Sequence, residues 1–121
     1  MPAVTDSTDQ PAVRRVTGTV TFRERIALPP GAVVTVQLSD VSNADAAASV
    51  LARTAVQVIG QVPVPFELSV DAAEVDEQAS VSVRARLRSE VGTWQSDAPY
   101  PVLTNGAPDV AEIIVRRVGG S

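Results

Sequence analysis

Apolar and polar residues alternate with a period of two through most of the chain, and this constrains the fold more than any other feature. Successive side chains of a strand point to opposite faces, so such alternation describes a ribbon with one buried side and one wet side. From Arg15 onward, Val16, Gly18, Val20 and Phe22 fall on one face, and Thr17, Thr19, Thr21 and Arg23 on the other. A second strand, Val33 to Val41, turns Val34, Val36 and Leu38 inward. A third carries Val50, Ala52, Thr54, Val56 and Val58, and a fourth Phe66, Leu68 and Val70. The fifth, Ala79 to Arg88, has Val81, Val83, Ala85 and Leu87 on its core face. A short sixth strand surrounds Trp94, and Val110 to Val118 closes the series with Ile113 and Val115 between the outward Glu112 and Arg116.

Valine supplies 22 of the 121 residues. Its branched Cβ is stiff and packs well on a pleated surface, which favours strands over helices. The breaks between strands have their own chemistry. Leu28-Pro29-Pro30-Gly31 stops the first strand, because proline cannot donate to a ladder and glycine permits the turn. Proline also punctuates the crossing from Gly60 to Pro65, and Asn105-Gly106 supplies a turn before the last strand. Asp71-Ala72-Ala73-Glu74 has the spacing of a capping box and predicts a single helical turn. Asp40, Ser42 and Asp45 are placed to cap backbone N–H groups in the connecting loop. These signals together predict an all-β fold, an antiparallel β-sandwich of about seven to eight strands with one short helical turn. Val20, Phe22, Val36, Leu38, Val56, Phe66, Leu68, Val83, Leu87 and Ile113 are its expected core.

One domain is expected over residues 13–118. Residues 1–12, with two prolines and no apolar period, read as a disordered leader, and 119–121 as a flexible end. No stretch approaches membrane-spanning length. The leader has neither the basic nor the apolar region of a secretory signal, so the chain as written reads as cytoplasmic. It reads as a protein of the cell envelope if a signal has been removed.

Cysteine, histidine and lysine are all absent. Disulfides, thiolate and Schiff-base catalysis, imidazole general bases and Cys- or His-bound metals go with them. The serines have no base beside which to become nucleophiles, and no acid pair sits at an apolar strand end, so no enzyme and no cofactor are expected. Asp71, Glu74, Asp76 and Glu77 form an acidic loop, but without the glycine and ligand spacing of an EF-hand they predict no metal site. The net charge is −4 with four aromatic residues in all, which argues against nucleic-acid binding.

Three features suit binding. Arg84, Arg86 and Arg88 share one outward strand face at a pitch of about 6–7 Å, a row able to receive phosphate or carboxylate groups; the plain alternative is a solvated face paired with acids such as Glu67 or Glu112. Arg23, Arg25, Ile26 and Leu28 mix charge with apolar anchors at a strand end and form the candidate site for a protein partner. Trp94 and Tyr100 suit either a sugar platform or, more simply, core plugs with polar tips.

The run from Gly18 to Asp45, with R-E-R-I-A-L-P-P-G-A at its centre, resembles the YbaY/YscW family of small bacterial envelope lipoproteins and type III secretion pilotins. Gly60 to Leu68, Arg84 to Arg86, and Tyr100 to Gly106 agree with it, so the resemblance covers about residues 16–118. It implies a β-sandwich with no catalytic residues and, for the pilotin members, a role in bringing an outer-membrane secretin to its place. The family's lipidated cysteine has no counterpart here, and the matching blocks are mainly turns and core strands, so no binding residue is carried over. The expected function is therefore that of a non-catalytic interaction module, an accessory or pilotin-like protein of the envelope or of secretion. The alternative is a module that binds an anionic or glycan ligand through the arginine face or Trp94.

Overall fold

In a computed structural model of the chain, residues 12–43 and 48–118 are described. They form eight strands and one short 3-10 turn. The strands are β1 (Val13–Thr21), β2 (Val33–Asp40), β3 (Ser49–Gln57), β4 (Val64–Asp71), β5 (Val81–Ser89), β6 (Gly92–Ser96), β7 (Tyr100–Pro101) and β8 (Val110–Val118). The turn, Ala72–Glu74, is capped by Asp71, whose carboxylate accepts from the Ala73 N–H at 2.9 Å. The leader to residue 11, the end 119–121 and Asp45 lie outside the described residues.

Two separate facing sheets are not what forms. One continuous path runs β3-β2-β5-β6-β8-β1-β4, with β7 paired to β5 beside it. The joint is β8, which is long enough to serve two neighbours. Val110–Ile114 pair with Thr17–Thr21 of β1, and Val115–Val118 with Thr93–Ser96 of β6. Handing over halfway along welds the halves into a single sheet. The end strands β3 and β4 return close to each other without pairing, so the sheet is curled almost into a barrel. The β1–β8 pair is parallel, another departure from the all-antiparallel expectation.

Gly18 makes that parallel pair possible. A Cβ there would stand 1.8 Å from the carbonyl oxygen of Ala111, so only glycine lets the two backbones approach. Its alternation marks an inner-face residue; its real constraint comes from a strand 93 positions away.

The inner faces of the curled sheet form one core, centred on Val16, Val20, Val34, Val36, Leu38, Val83, Leu87, Trp94, Ile113 and Val115. All ten expected core residues lie in it except Val56, which is only half-buried and packs against its margin because β3 is an end strand. Tyr100–Pro101 pairs with Val83 and Ser82 as β7, a two-residue strand too short to leave a periodic signal. Asn105 and Gly106 take the left-handed conformation their turn requires, with φ of 57° and 78°.

Candidate functional site

The outer face of β5 carries Arg84, Arg86 and Arg88, all exposed, as alternation requires. The acids expected to neutralise them are elsewhere. Glu67 pairs with Arg15 on the β1–β4 side of the molecule, and Glu112 sits beside Thr19 on β8. Among the described residues, no carboxylate lies within 4.0 Å of any of the three.

Tertiary pairing adds to the row. Gln37 on β2 is registered between Arg53 of β3 and Arg84 of β5, and its side-chain oxygen accepts from Arg53 Nη2 at 3.0 Å. Gln95 on β6 lies opposite Arg86 and accepts from its Nε and Nη2 at 3.3 and 3.1 Å. Arg53 is therefore a fourth unneutralised guanidinium on this face. Its outward position is readable from the sequence, but its strand's place beside β2 is not. Arg116, next in line across β6, is held by Asp97 at 2.7 Å.

The face is dished. After pairing Arg86 with Gln95, β5 loses β6 and takes up β7 only at Val83. At Ala85, between the two partners, the Ser96 hydroxyl accepts from the backbone N–H at 3.1 Å and donates to the backbone carbonyl at 3.4 Å. The gap opens a depression of about 540 Å³, floored by Ala85 and Ser96 and rimmed by the four arginines.

The segment from Arg23 to Leu28 is a loop. Arg23 and Arg25 are exposed, and Ile26 is 37% exposed. Leu28 is only 6% exposed and belongs to the core, so it cannot anchor a partner as expected; proline-directed turning points it inward. Its backbone is clamped by Gln61, whose Oε1 accepts from the Leu28 N–H at 2.8 Å and whose amide donates to the Leu28 carbonyl at 3.3 Å. This ties the loop to the β3–β4 connection, where Ile59 stands 95% exposed. Ile59 is the most exposed large apolar side chain among the described residues. A lone isoleucine after a strand carries no sequence signal of that exposure.

Trp94 is fully buried, which removes it as a sugar platform. Tyr100 is half-buried, and its hydroxyl accepts from the Ile114 N–H at 3.0 Å, so it braces β8. The acids of the 71–77 loop are used singly: Asp71 caps the turn, Asp76 accepts from the Gln78 N–H, and Glu77 pairs with Arg14. Among the described residues no three potential ligands gather as a metal ion requires. None of the described helices is long and apolar enough to cross a membrane.

Comparison with known proteins gives a consistent result. The family model described as type III secretion system lipoprotein chaperone (YscW) matches residues 11–115. The uncharacterised lipoprotein YbaY of Escherichia coli K12 is 41% identical over 104 residues, covering 83% of this chain. The chain spans only 55% of that relative's length. A solved structure of an alternative pilotin from the type II secretion system of Vibrio cholerae superposes with a TM-score of 0.84 at 38% identity, covering 90% of this chain and all of the other.

Proposed function

Because the chain belongs to the YscW family, we propose that it is a non-catalytic binding protein of the cell envelope, an accessory that engages a protein component of a secretion machine. The lipoprotein and pilotin descriptions of its relatives favour the envelope over the cytoplasm as its place of action. The observation that carries the binding site is the exposed pair Ile26 and Ile59. Each lies two residues before one member of the clamped Leu28–Gln61 pair, so two separate loops are held together with an apolar side chain on each. An isoleucine left in water forgoes the burial that drives folding, and anchors of this kind dominate interface energies. Arg23 and Arg25 beside them supply charge for orientation.

The test is a titration of the purified protein with the C-terminal region of the outer-membrane secretin of the same bacterium. The double change Ile26→Asp and Ile59→Asp is expected to weaken binding by about tenfold or more, since each removes a buried apolar anchor from the interface. Changing Arg84, Arg86 and Arg88 to Gln is expected to leave it intact. Unchanged binding by the isoleucine double variant overturns the site, and no binding by the parent overturns the secretin as partner.

A further inference from the structure

We propose that the outer face of β2, β3, β5 and β6 is a docking surface for an anionic membrane, with lipid phosphate groups received by Arg53, Arg84, Arg86 and Arg88. The first support is charge. The chain as a whole is acidic, with a net charge of −4. Yet these four guanidiniums share one face, and no carboxylate among the described residues approaches within 4.0 Å of them. By contrast, Arg14, Arg15 and Arg116 each have an acidic partner. Like charges gathered without counter-charges repel one another, and an external anion relieves that repulsion.

The second support is organisation. Gln37 and Gln95 orient Arg53 and Arg86 through neutral oxygens, fixing these guanidiniums without cancelling their charge. Each guanidinium has five N–H donors in a planar fork that matches phosphate oxygens, and these contacts leave most of them free. Arg84 and Arg88 make no hydrogen bond to any described residue, so their forks are wholly available.

Geometry selects the kind of ligand. Along β5 the arginines repeat every 6–7 Å or so, and Arg53 lies two strands away, about 10 Å to the side. The result is a two-dimensional array of positive charge. A bilayer surface presents its phosphates in two dimensions, whereas a linear polyphosphate follows only a row. The depression between β6 and β7 gives one head group a seat among the four side chains. Thr35, Gln37 and Gln95, which complete the surface, are polar, so the face lacks the apolar pockets that capture peptide side chains. No aromatic ring lies on it to stack nucleobases.

Sedimentation with phosphatidylcholine vesicles, with and without phosphatidylglycerol, tests this on the intact protein. Binding is expected only to the vesicles containing phosphatidylglycerol and should fall as salt rises. Arg53→Gln should weaken it several-fold, and the Arg84, Arg86 and Arg88 change to Gln by about tenfold or more, since juxtamembrane basic residues act roughly additively. Arg15→Gln, an equal loss of charge on the other side of the molecule, should leave it unchanged. Thermal melts establish that each variant is folded, and the single Arg53 variant decides the matter should the triple change unfold the chain. Failure of the parent to bind the anionic vesicles overturns the proposal. So does equal weakening by Arg15→Gln and Arg53→Gln, or binding only to tripolyphosphate or to poly-glutamate in parallel titrations. Because vesicles contain no secretin, this outcome is independent of the proposed protein partner.

Discussion

The rings of Phe22 and Trp94 stack with centroids 4.7 Å apart and planes inclined by 23°. The two residues come from strands that are not neighbours: Phe22 follows β1, Trp94 lies on β6, and β8 runs between. The Arg117 guanidinium sits 5.2 Å from the indole centroid, and the indole N–H donates to Glu24 at 3.3 Å. Trp94 is thus a buried ring with an aromatic neighbour, a cation over its ring, and a carboxylate at its polar tip. This cluster ties the first loop to the end of β8.

Removing the stacked ring should be costly. Phe22→Ala is expected to destabilise the protein by about 3–5 kcal/mol, as truncation of buried aromatics does. The emission of the single tryptophan should also shift to the red as water reaches it. Glu24→Ala leaves the buried indole N–H without its acceptor and should cost about 1–3 kcal/mol. Denaturant unfolding followed by fluorescence measures both, and a Phe22 variant as stable as the parent contradicts the packing.

Glycine substitutions separate steric from conformational cost. Gly18→Ala puts a methyl group into the Ala111 carbonyl, so β1 and β8 must part, and a loss of about 3 kcal/mol or more is expected from overpacking against backbone. Gly31 also has a left-handed φ of 97°, but nothing lies near its missing Cβ. Gly31→Ala should therefore cost only about 1–2 kcal/mol, the strain of the conformation itself. Thermal melts of the two variants should rank in that order.

Leu28 and Ile59 should respond oppositely to change. Leu28→Ala removes a core side chain and should cost about 2–5 kcal/mol. Ile59→Asp alters a side chain in water and should stay within about 0.5 kcal/mol of the parent. Comparable losses in chemical denaturation would show that Ile59 is buried in solution, and with it would go the apolar pair proposed to meet a partner.

Asp40 gives a prediction in pH. The Ser42 hydroxyl and backbone N–H both donate to its carboxylate, at 2.6 and 2.9 Å, and hold its pKa below the ordinary 3.8. A folded-state pKa below the unfolded value adds stability above the unfolded value, and that stability is lost as pH falls through the folded pKa. Proton titration of the side-chain carboxyl carbon by NMR should therefore show a midpoint below 3.8. Asp40→Asn should flatten the acid side of the stability curve, and a midpoint above that value would contradict the Ser42 contacts.

Much of the fold was legible in local pattern. Period-two alternation placed seven of the eight strands, because the side-chain period of a strand is a property of the backbone and needs no tertiary partner. Asp71 before the 3-10 turn and Asn105-Gly106 before β8 were legible for the same reason: caps and left-handed turns depend on residues a few positions apart. The family was legible too, in the Pro29-Pro30-Gly31 block and the Gly60–Leu68 crossing. The candidate sites were legible only in part. Alternation put Arg84, Arg86 and Arg88 outside, but the same alternation could not reveal that Leu28, in a loop without period, turns into the core.

The sequence by itself determined which residues form strands, which faces are apolar, and that thiol, imidazole and amine chemistry are impossible here. Only the tertiary structure decided how the strands are ordered. Pairing depends on contacts between residues far apart in the chain, and no local period encodes which edge meets which. The split of β8 between β1 and β6 turned an expected sandwich into one curled sheet. The placing of β3 beside β2 brought Arg53 to the arginine face through Gln37. The Gln61 clamp set Ile59 on the same loop assembly as Ile26. In each case an alternating strand fixes only up or down for a side chain, while its neighbours across the sheet are fixed by which hydrogen-bonding edges the whole chain brings together.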